Sequence, residues 1–151
     1  MLMLYKGLVR PHLEYCVQAW RPYLQKDIDL IEAVHKRFTK SIPDLKKMSY
    51  EDRLKALKLS TLEVRRERGD LIEVYKIING IDKVGCLQVE NKKSYGLRGH
   101  NYKLVKKRFN LKVGQCCFSN RVVNQWNSLP NSVVNSENLN AFKRNLDQYW
   151  S

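Results

Sequence analysis

The sequence predicts a mainly α chain: a helical bundle over residues 1–82, followed by a small basic β-hairpin and two C-terminal helices, α+β overall. Three observations predict it. Apolar residues recur at helical spacing up to Asn79-Gly80, where glycine suits a helix stop. Beyond that point Gly85, Gly96, Gly99 and Gly114 divide the chain into short segments. From Phe118 onward the helical spacing returns.

The elements follow in order. Residues 2–9 form a first helix. Pro11 suits the first turn of a second, with Leu13, Val17 and Trp20 at i, i+4 and i+7. Asp27 is placed to cap a helix running to about Ser41, with Leu30, Ile31, Val34, Phe38 and Ile42 as its inward stripe and Pro43 ending it. Ser49 with Asp52, and Ser60 with Glu63, have the spacing by which a hydroxyl caps a helix while a carboxylate reaches back. The stretch NYKLVKKRFNLKV alternates roughly as a basic hairpin does. Phe118, Val122 and Trp126 predict the next helix, and Leu139, Phe142, Leu146 and Tyr149 after a Ser136 cap predict the last. Residues 82–95 are the one linker, too short to make 1–82 and 83–151 independent, so the second region is expected to pack on the first.

The net charge of +13 is distributed unevenly. Residues 1–82 hold 16 Lys/Arg against 12 Asp/Glu, whereas residues 83–151 hold 12 against 3. Between Asn91 and Arg121 lie Lys92, Lys93, Arg98, Lys103, Lys106, Lys107, Arg108, Lys112 and Arg121, with no carboxylate among them. A solvated face interleaves both signs, so this run points to a polyanion. Tyr95, Tyr102 and Phe109 interleave with it, as rings that stack on bases or, equally for Phe109, as rings that fill a core beneath the hairpin. Arg65, Arg66 and Arg68 offer a second cationic face, beside Glu63, Glu67, Asp70 and Glu73 at spacings that suit surface ion pairs.

Little else carries chemistry. His12 and Cys16, at i and i+4, suggest two metal ligands, which Cys86, His100, Cys116 and Cys117 could in principle complete to a site; without a Cys-x-x-Cys pair, buried thiols are the better reading. No phosphate-binding glycine loop or Gly-x-Ser-x-Gly is present. The N-terminal apolar run is broken by Lys6 and Arg10, too soon for a signal core or for the roughly 20 residues of a membrane span. An intracellular protein, nuclear or cytoplasmic, with reduced cysteines, no cofactor and no membrane association is expected.

The stretches LYKGLVRPHLEYC with Trp20, IEAVHKRFTKSIP, RLKALKLSTLEVRRERGDLIEVYKIINGID, LRGHNYKL, FSNRVVNQWNSLPNSVV and LNAFKRNLD resemble, nearly end to end, the C-terminal region of non-LTR retrotransposon reverse transcriptases of the LINE type, chicken-repeat and jockey-like groups. Departures are local: His35, Asp44 and Cys116-Cys117 replace the residues usual at those positions. The resemblance implies that residues 1–82 are a thumb-like helical region packing along a template-primer duplex, preceded by a palm that covers the apolar side of the opening stretch, with His12 and Cys16 in the thumb core. It also implies a fragment of an RNA-directed DNA polymerase, since the palm's metal-holding Tyr-x-Asp-Asp has no counterpart here. The chain alone is then no enzyme, and divalent metal ions belong to the palm. Expected partners are RNA or an RNA–DNA hybrid, met by Lys103, Lys106, Lys107, Arg108, Lys112 and Arg98, with Arg65, Arg66 and Arg68 as a weaker face. The alternative is a protein-interaction or structural helical module whose Leu2, Leu4 and Leu8 meet the palm or another protein.

Overall fold

The computed structural model describes residues 2–89 and 99–150. These residues are mainly helical, and the chain forms two compact units, Met1–Arg68 and Gly69–Ser151. The division falls at Gly69 rather than between residues 82 and 83, because Leu71, Val74 and Tyr75 belong to the core built by the C-terminal helices.

In the first unit α1 (Leu2–Leu4) runs through a π-helical turn (Tyr5–Val9) into α2 (Arg10–Glu14), with Pro11 in the first turn of α2. The helix expected across Leu13, Val17 and Trp20 is broken: Tyr15 is extended and Cys16 is left-handed at φ +50°, so α3 (Val17–Trp20) starts afresh. α4 (Gln25–Lys40) begins before Asp27, which sits in the first turn and complements the helix dipole instead of capping it. Ser49 caps α5 (Tyr50–Leu57) as its spacing implies, its hydroxyl accepting the Asp52 N–H at 3.2 Å. For α6 (Leu62–Ile78) the cap is Thr61, which accepts the Val64 N–H at 3.3 Å, one residue beyond the expected Ser60. Gly80, at φ +68°, ends that helix in a conformation that costs glycine little.

The expected inward stripe of α4 is covered only in part: Ile31, Phe38 and Ile42 are half-buried. Leu30 is 68% exposed and Val34 is 42% exposed, while the buried face carries Glu32, His35 and Thr39. A polar network occupies it. The Tyr50 hydroxyl and the Leu62 N–H both donate to the Glu32 carboxylate, the latter at 3.1 Å, and Arg53 Nε donates to Thr39 Oγ1 at 3.2 Å. The Tyr5 ring stacks on His35 and on Phe38, tying the opening segment to α4. Hydrogen bonding has overridden apolar patterning because three polar partners close on Glu32 from α4, α5 and α6.

This network makes stability depend on acid. Burial pushes the Glu32 carboxyl up, but hydrogen bonds from His35, Tyr50 and the Leu62 amide outweigh it and hold the group below the usual carboxylate range. A lowered folded pKa gives stabilisation that is complete above the unfolded value of about 4.3 and is lost as pH falls through the folded value. Glu32→Gln is therefore expected to lower the urea midpoint at pH 7, with the gap to wild type closing as pH drops below about 4. A gap of unchanged size at pH 2 would show that the carboxylate charge contributes nothing.

The second unit has a larger apolar core. α8 (Phe118–Ser128) buries Val122, Val123 and Trp126, and α10 (Leu139–Tyr149) buries Phe142 and Leu146, all joined to Leu71, Val74 and Tyr75 in one cluster. Tyr75 stacks on Phe142 with centroids 4.3 Å apart and donates its hydroxyl to the Ser136 carbonyl at 2.7 Å. α7 (Lys112–Cys116) packs on α8, and α9 (Asn131–Val134) on α10. The cap of α10 is Asn138, which accepts the Ala141 N–H at 2.9 Å; Ser136, the expected cap, turns its hydroxyl to the Val133 carbonyl.

The β-hairpin expected over residues 101–113 does not form. Among the described residues pairing is confined to one isolated antiparallel bridge, between Val89 and Leu104. The backbone of the segment is satisfied elsewhere: Leu104 N–H donates to Asn127 Oδ1 at 2.8 Å, and Asn127 Nδ2 donates back to the Leu104 carbonyl at 2.9 Å. Of the alternating side chains Leu104 is buried, whereas Tyr102 and Val105 are exposed, so no second apolar face exists for a partner strand to cover. Lys112 and Val113 already belong to α7.

Candidate nucleic-acid interface

The basic segment after Gly99 is held on α8 by side chains reading its backbone. His100 is fully buried: Nε2 lies 3.0 Å from the Trp126 carbonyl and Nδ1 accepts the Tyr102 N–H at 3.3 Å, which together place the proton on Nε2. Trp126 Nε1 donates to the Tyr102 carbonyl at 2.7 Å. With the Asn127–Leu104 pair, these bonds fix residues 100–104 against one face of α8 and send the chain that follows across its N-terminal part. With both nitrogens engaged, His100 has no lone pair for a metal.

Lys106, Lys107 and Arg108 are exposed and stand in a row along a groove of about 810 Å³. Its other walls are Phe109, Asn110, Gln115, Cys116 and Asn120; among the described residues no carboxylate lines it. Lys106 Nζ is steadied by Asn124 Oδ1 at 3.2 Å, a neutral partner that leaves its charge intact. Phe109 is half-buried and rests on the backbone of α7 at Gly114, where an added Cβ would come within 2.6 Å of the ring. Gln115 Nε2 donates to the Phe109 carbonyl at 3.1 Å, closing the turn that presents the ring. The groove thus combines three cations with no carboxylate partner among the described residues, one aromatic wall and three side-chain amides.

The remaining candidates fall in different places. Lys112 is exposed at the start of α7. Lys103 is half-buried, its side chain lying against Gly99. Arg98, with Lys92, Lys93 and Tyr95, lies outside the described residues. Arg65 is engaged by Glu14, its Nε and Nη2 donating to the two carboxylate oxygens, the latter at 2.9 Å. Arg66 is only 2% exposed, with its guanidinium 5.8 Å from the Trp20 ring centroid and donating to the Leu13 carbonyl at 3.4 Å. Burial holds its pKa below the ordinary arginine value. Arg68 is half-buried. The three arginines therefore do not form one exposed face with each other.

Carboxylates distant in sequence also reach the basic run. Arg121 Nε and Nη2 donate to the two oxygens of Asp70 at 2.9 and 3.0 Å, and Nη1 donates to the Cys116 carbonyl at 3.3 Å. Glu67 pairs with Arg21 at 3.3 Å rather than with a neighbour on its own helix. Glu73, 3.2 Å from Lys76, pairs locally as its spacing suggests.

His12 and Cys16 lie on either side of the break between α2 and α3, and both are exposed rather than in a core. Among the described residues no three His, Cys, Asp or Glu side chains come together as metal ligands, and no helix is long and apolar enough to cross a membrane. The residues that sequence reasoning missed are the amides Asn120, Asn124, Asn127 and Gln115. They carry no charge and follow no motif, so only the fold reveals that they hold the cationic segment and wall the groove. Comparison of the chain with family models, curated proteins and solved structures finds no match.

Proposed function

We propose that the chain is the thumb-like helical region and basic tail of a LINE-type reverse transcriptase, binding RNA or an RNA–DNA hybrid through the phosphate backbone and performing no polymerase chemistry by itself. The observation that carries this reading is the groove lined by Lys106, Lys107 and Arg108, with no carboxylate among the described residues of its wall. Three clustered cations attract a phosphate chain and repel other cations, whereas they recognise no particular base sequence. The resemblance of LYKGLVRPHLEYC, the RLKALKLSTLEVRRERGD stretch and LRGHNYKL to the polymerase family supplies the identity of the polyanion. In this reading the residues act by charge and position, and any divalent metal ions belong to a palm outside this chain.

The reading is tested by anisotropy of labelled single-stranded RNA and of an RNA–DNA hybrid between 50 and 200 mM salt, concentrations over which counterion release dominates. Affinity falling steeply over that range, with slight dependence on base sequence, is expected. No binding to either at 50 mM salt would defeat the proposal.

A second reading, a helical module that binds protein, is favoured by one observation. Leu4, Leu8, Tyr15, Trp20, Leu30 and Val34 of the first unit are all exposed, an unusual load of large apolar side chains for its size. Concentration-dependent self-association without RNA binding, measured by sedimentation velocity, is the result that would favour it over the first.

A further inference from the structure

We infer that α6 is a jointed helix that opens at Gly69, so that its first part moves with the first unit and its second part with the second. The helix runs unbroken from Leu62 to Ile78, yet the chain divides into its two compact units between Arg68 and Gly69. The side chains before and after that point are anchored differently. Ahead of it the Leu62 N–H donates to Glu32, Arg65 donates to Glu14, Arg66 donates to the Leu13 carbonyl, and Glu67 accepts from Arg21. Beyond it Asp70 accepts from Arg121, Tyr75 donates to the Ser136 carbonyl, and Leu71 and Val74 lie in the core with Val122, Trp126 and Phe142. Within one helical turn, from Glu67 to Asp70, the anchoring passes from residues 13–32 to residues 121–142.

A glycine at this place needs a reason, since in a helix interior it makes the helical state about fivefold less favourable than alanine does. Left-handed backbone does not supply one, because Gly69 lies inside α6 and away from positive φ. Close packing does not supply one either, because among the described residues an added Cβ would meet nothing within 4 Å. What glycine does supply is a weak point in the backbone ladder. Each helical N–H bonds the carbonyl four residues back, so the ladder crosses Gly69 through the N–H groups of Asp70, Leu71 and Ile72 and the carbonyls of Arg66, Glu67 and Arg68. A residue without Cβ absorbs the change in φ and ψ at such a point with the least steric cost. With the neighbouring turns fixed in separate units, strain between the two falls on these bonds, and either unit moves without drawing the other open.

The test is native-state amide hydrogen exchange of the full chain, read residue by residue by NMR. The middle of a continuous helix is its best-protected part, because opening begins at the frayed ends. A joint reverses that order. Protection at Asp70, Leu71 and Ile72 is expected to lie about fivefold below that at residues 74–77, and Gly69→Ala is expected to fill the dip. The wild-type profile decides by itself even if the variant does not fold. Protection at residues 70–72 equal to or above that at 74–77 in the unaltered chain would overturn the joint. A dip that Gly69→Ala leaves unchanged would overturn its assignment to the glycine.

Discussion

Asp70→Asn is expected to destabilise the second unit by about 3–5 kcal/mol, the usual cost of stranding one member of a buried ion pair. Asp70 is fully buried and receives two parallel hydrogen bonds, at 2.9 and 3.0 Å, from an Arg121 guanidinium that is itself mostly covered. The amide keeps the shape of the carboxylate but removes its charge and faces an N–H group toward a cation that accepts nothing. Arg121 then keeps the Cys116 carbonyl and the Phe118 ring, 5.7 Å from its guanidinium carbon, as partners for a nearly buried charge. Replacing both residues by apolar ones, Asp70→Leu with Arg121→Met, is expected to recover most of the loss, because the desolvation of two charges is no longer required. Urea unfolding of Asp70→Asn and of the double variant checks this. A loss below 1 kcal/mol for Asp70→Asn would show that solvent already screens the pair.

Trp126→Ala is expected to cost about 3–5 kcal/mol through lost burial alone, and to weaken nucleic-acid binding as well. The indole is fully buried against Phe142 and His100, with ring centroids 6.0 and 5.8 Å away. Its Nε1–H is also the donor that holds the Tyr102 carbonyl, so truncation removes one of the bonds that hold the chain leading to Lys106 on α8. Trp126→Phe is expected to retain much of the packing while losing that bond. If the binding defect follows the lost hydrogen bond, Trp126→Phe will bind weakly despite near-normal unfolding. Unimpaired binding by Trp126→Phe would show that the loop is positioned by other contacts.

The helices were legible because caps and stops are local. Ser49, Pro11 and Gly80 do what their positions imply, and the Phe118-to-Trp126 and Phe142-to-Leu146 spacings lie on the faces that build the core. The caps expected at Asp27, Ser60 and Ser136 moved by a few residues, and the larger failures were decided by partners far away in the chain. The Arg65–Glu14 and Arg121–Asp70 pairs each span 51 residues, so the short-range charge pattern could not show that these arginines are already neutralised. On α4 the period of apolar residues was read correctly, but the face it marks is partly exposed, because Glu32, His35 and Thr39 are drawn inward by Tyr50, Leu62 and Arg53. The hairpin failed because alternation alone does not supply a second strand, and Asn127 satisfies the backbone at Leu104 instead.

For the candidate site, the sequence located the charge and not the shape. Lys106, Lys107 and Arg108 were identifiable as an acid-free run, and the fold places them together along one groove. Arg66 was indistinguishable in sequence from its neighbours Arg65 and Arg68, yet it lies buried behind Trp20. The groove's amide walls are visible only when α7 and α8 bring Gln115 and Asn120 beside residues 106–110.

The most direct measurement is the salt dependence of single-stranded RNA binding for the wild-type chain and for Lys106→Ala with Lys107→Ala. Each lost phosphate contact on a single strand should flatten the plot of log affinity against log salt by about 0.7, so the double variant is expected to show a slope shallower by about 1.4. Its unfolding curve should match wild type, since both side chains are exposed. Identical slopes for the two proteins would contradict the assignment of the groove as the phosphate-binding surface.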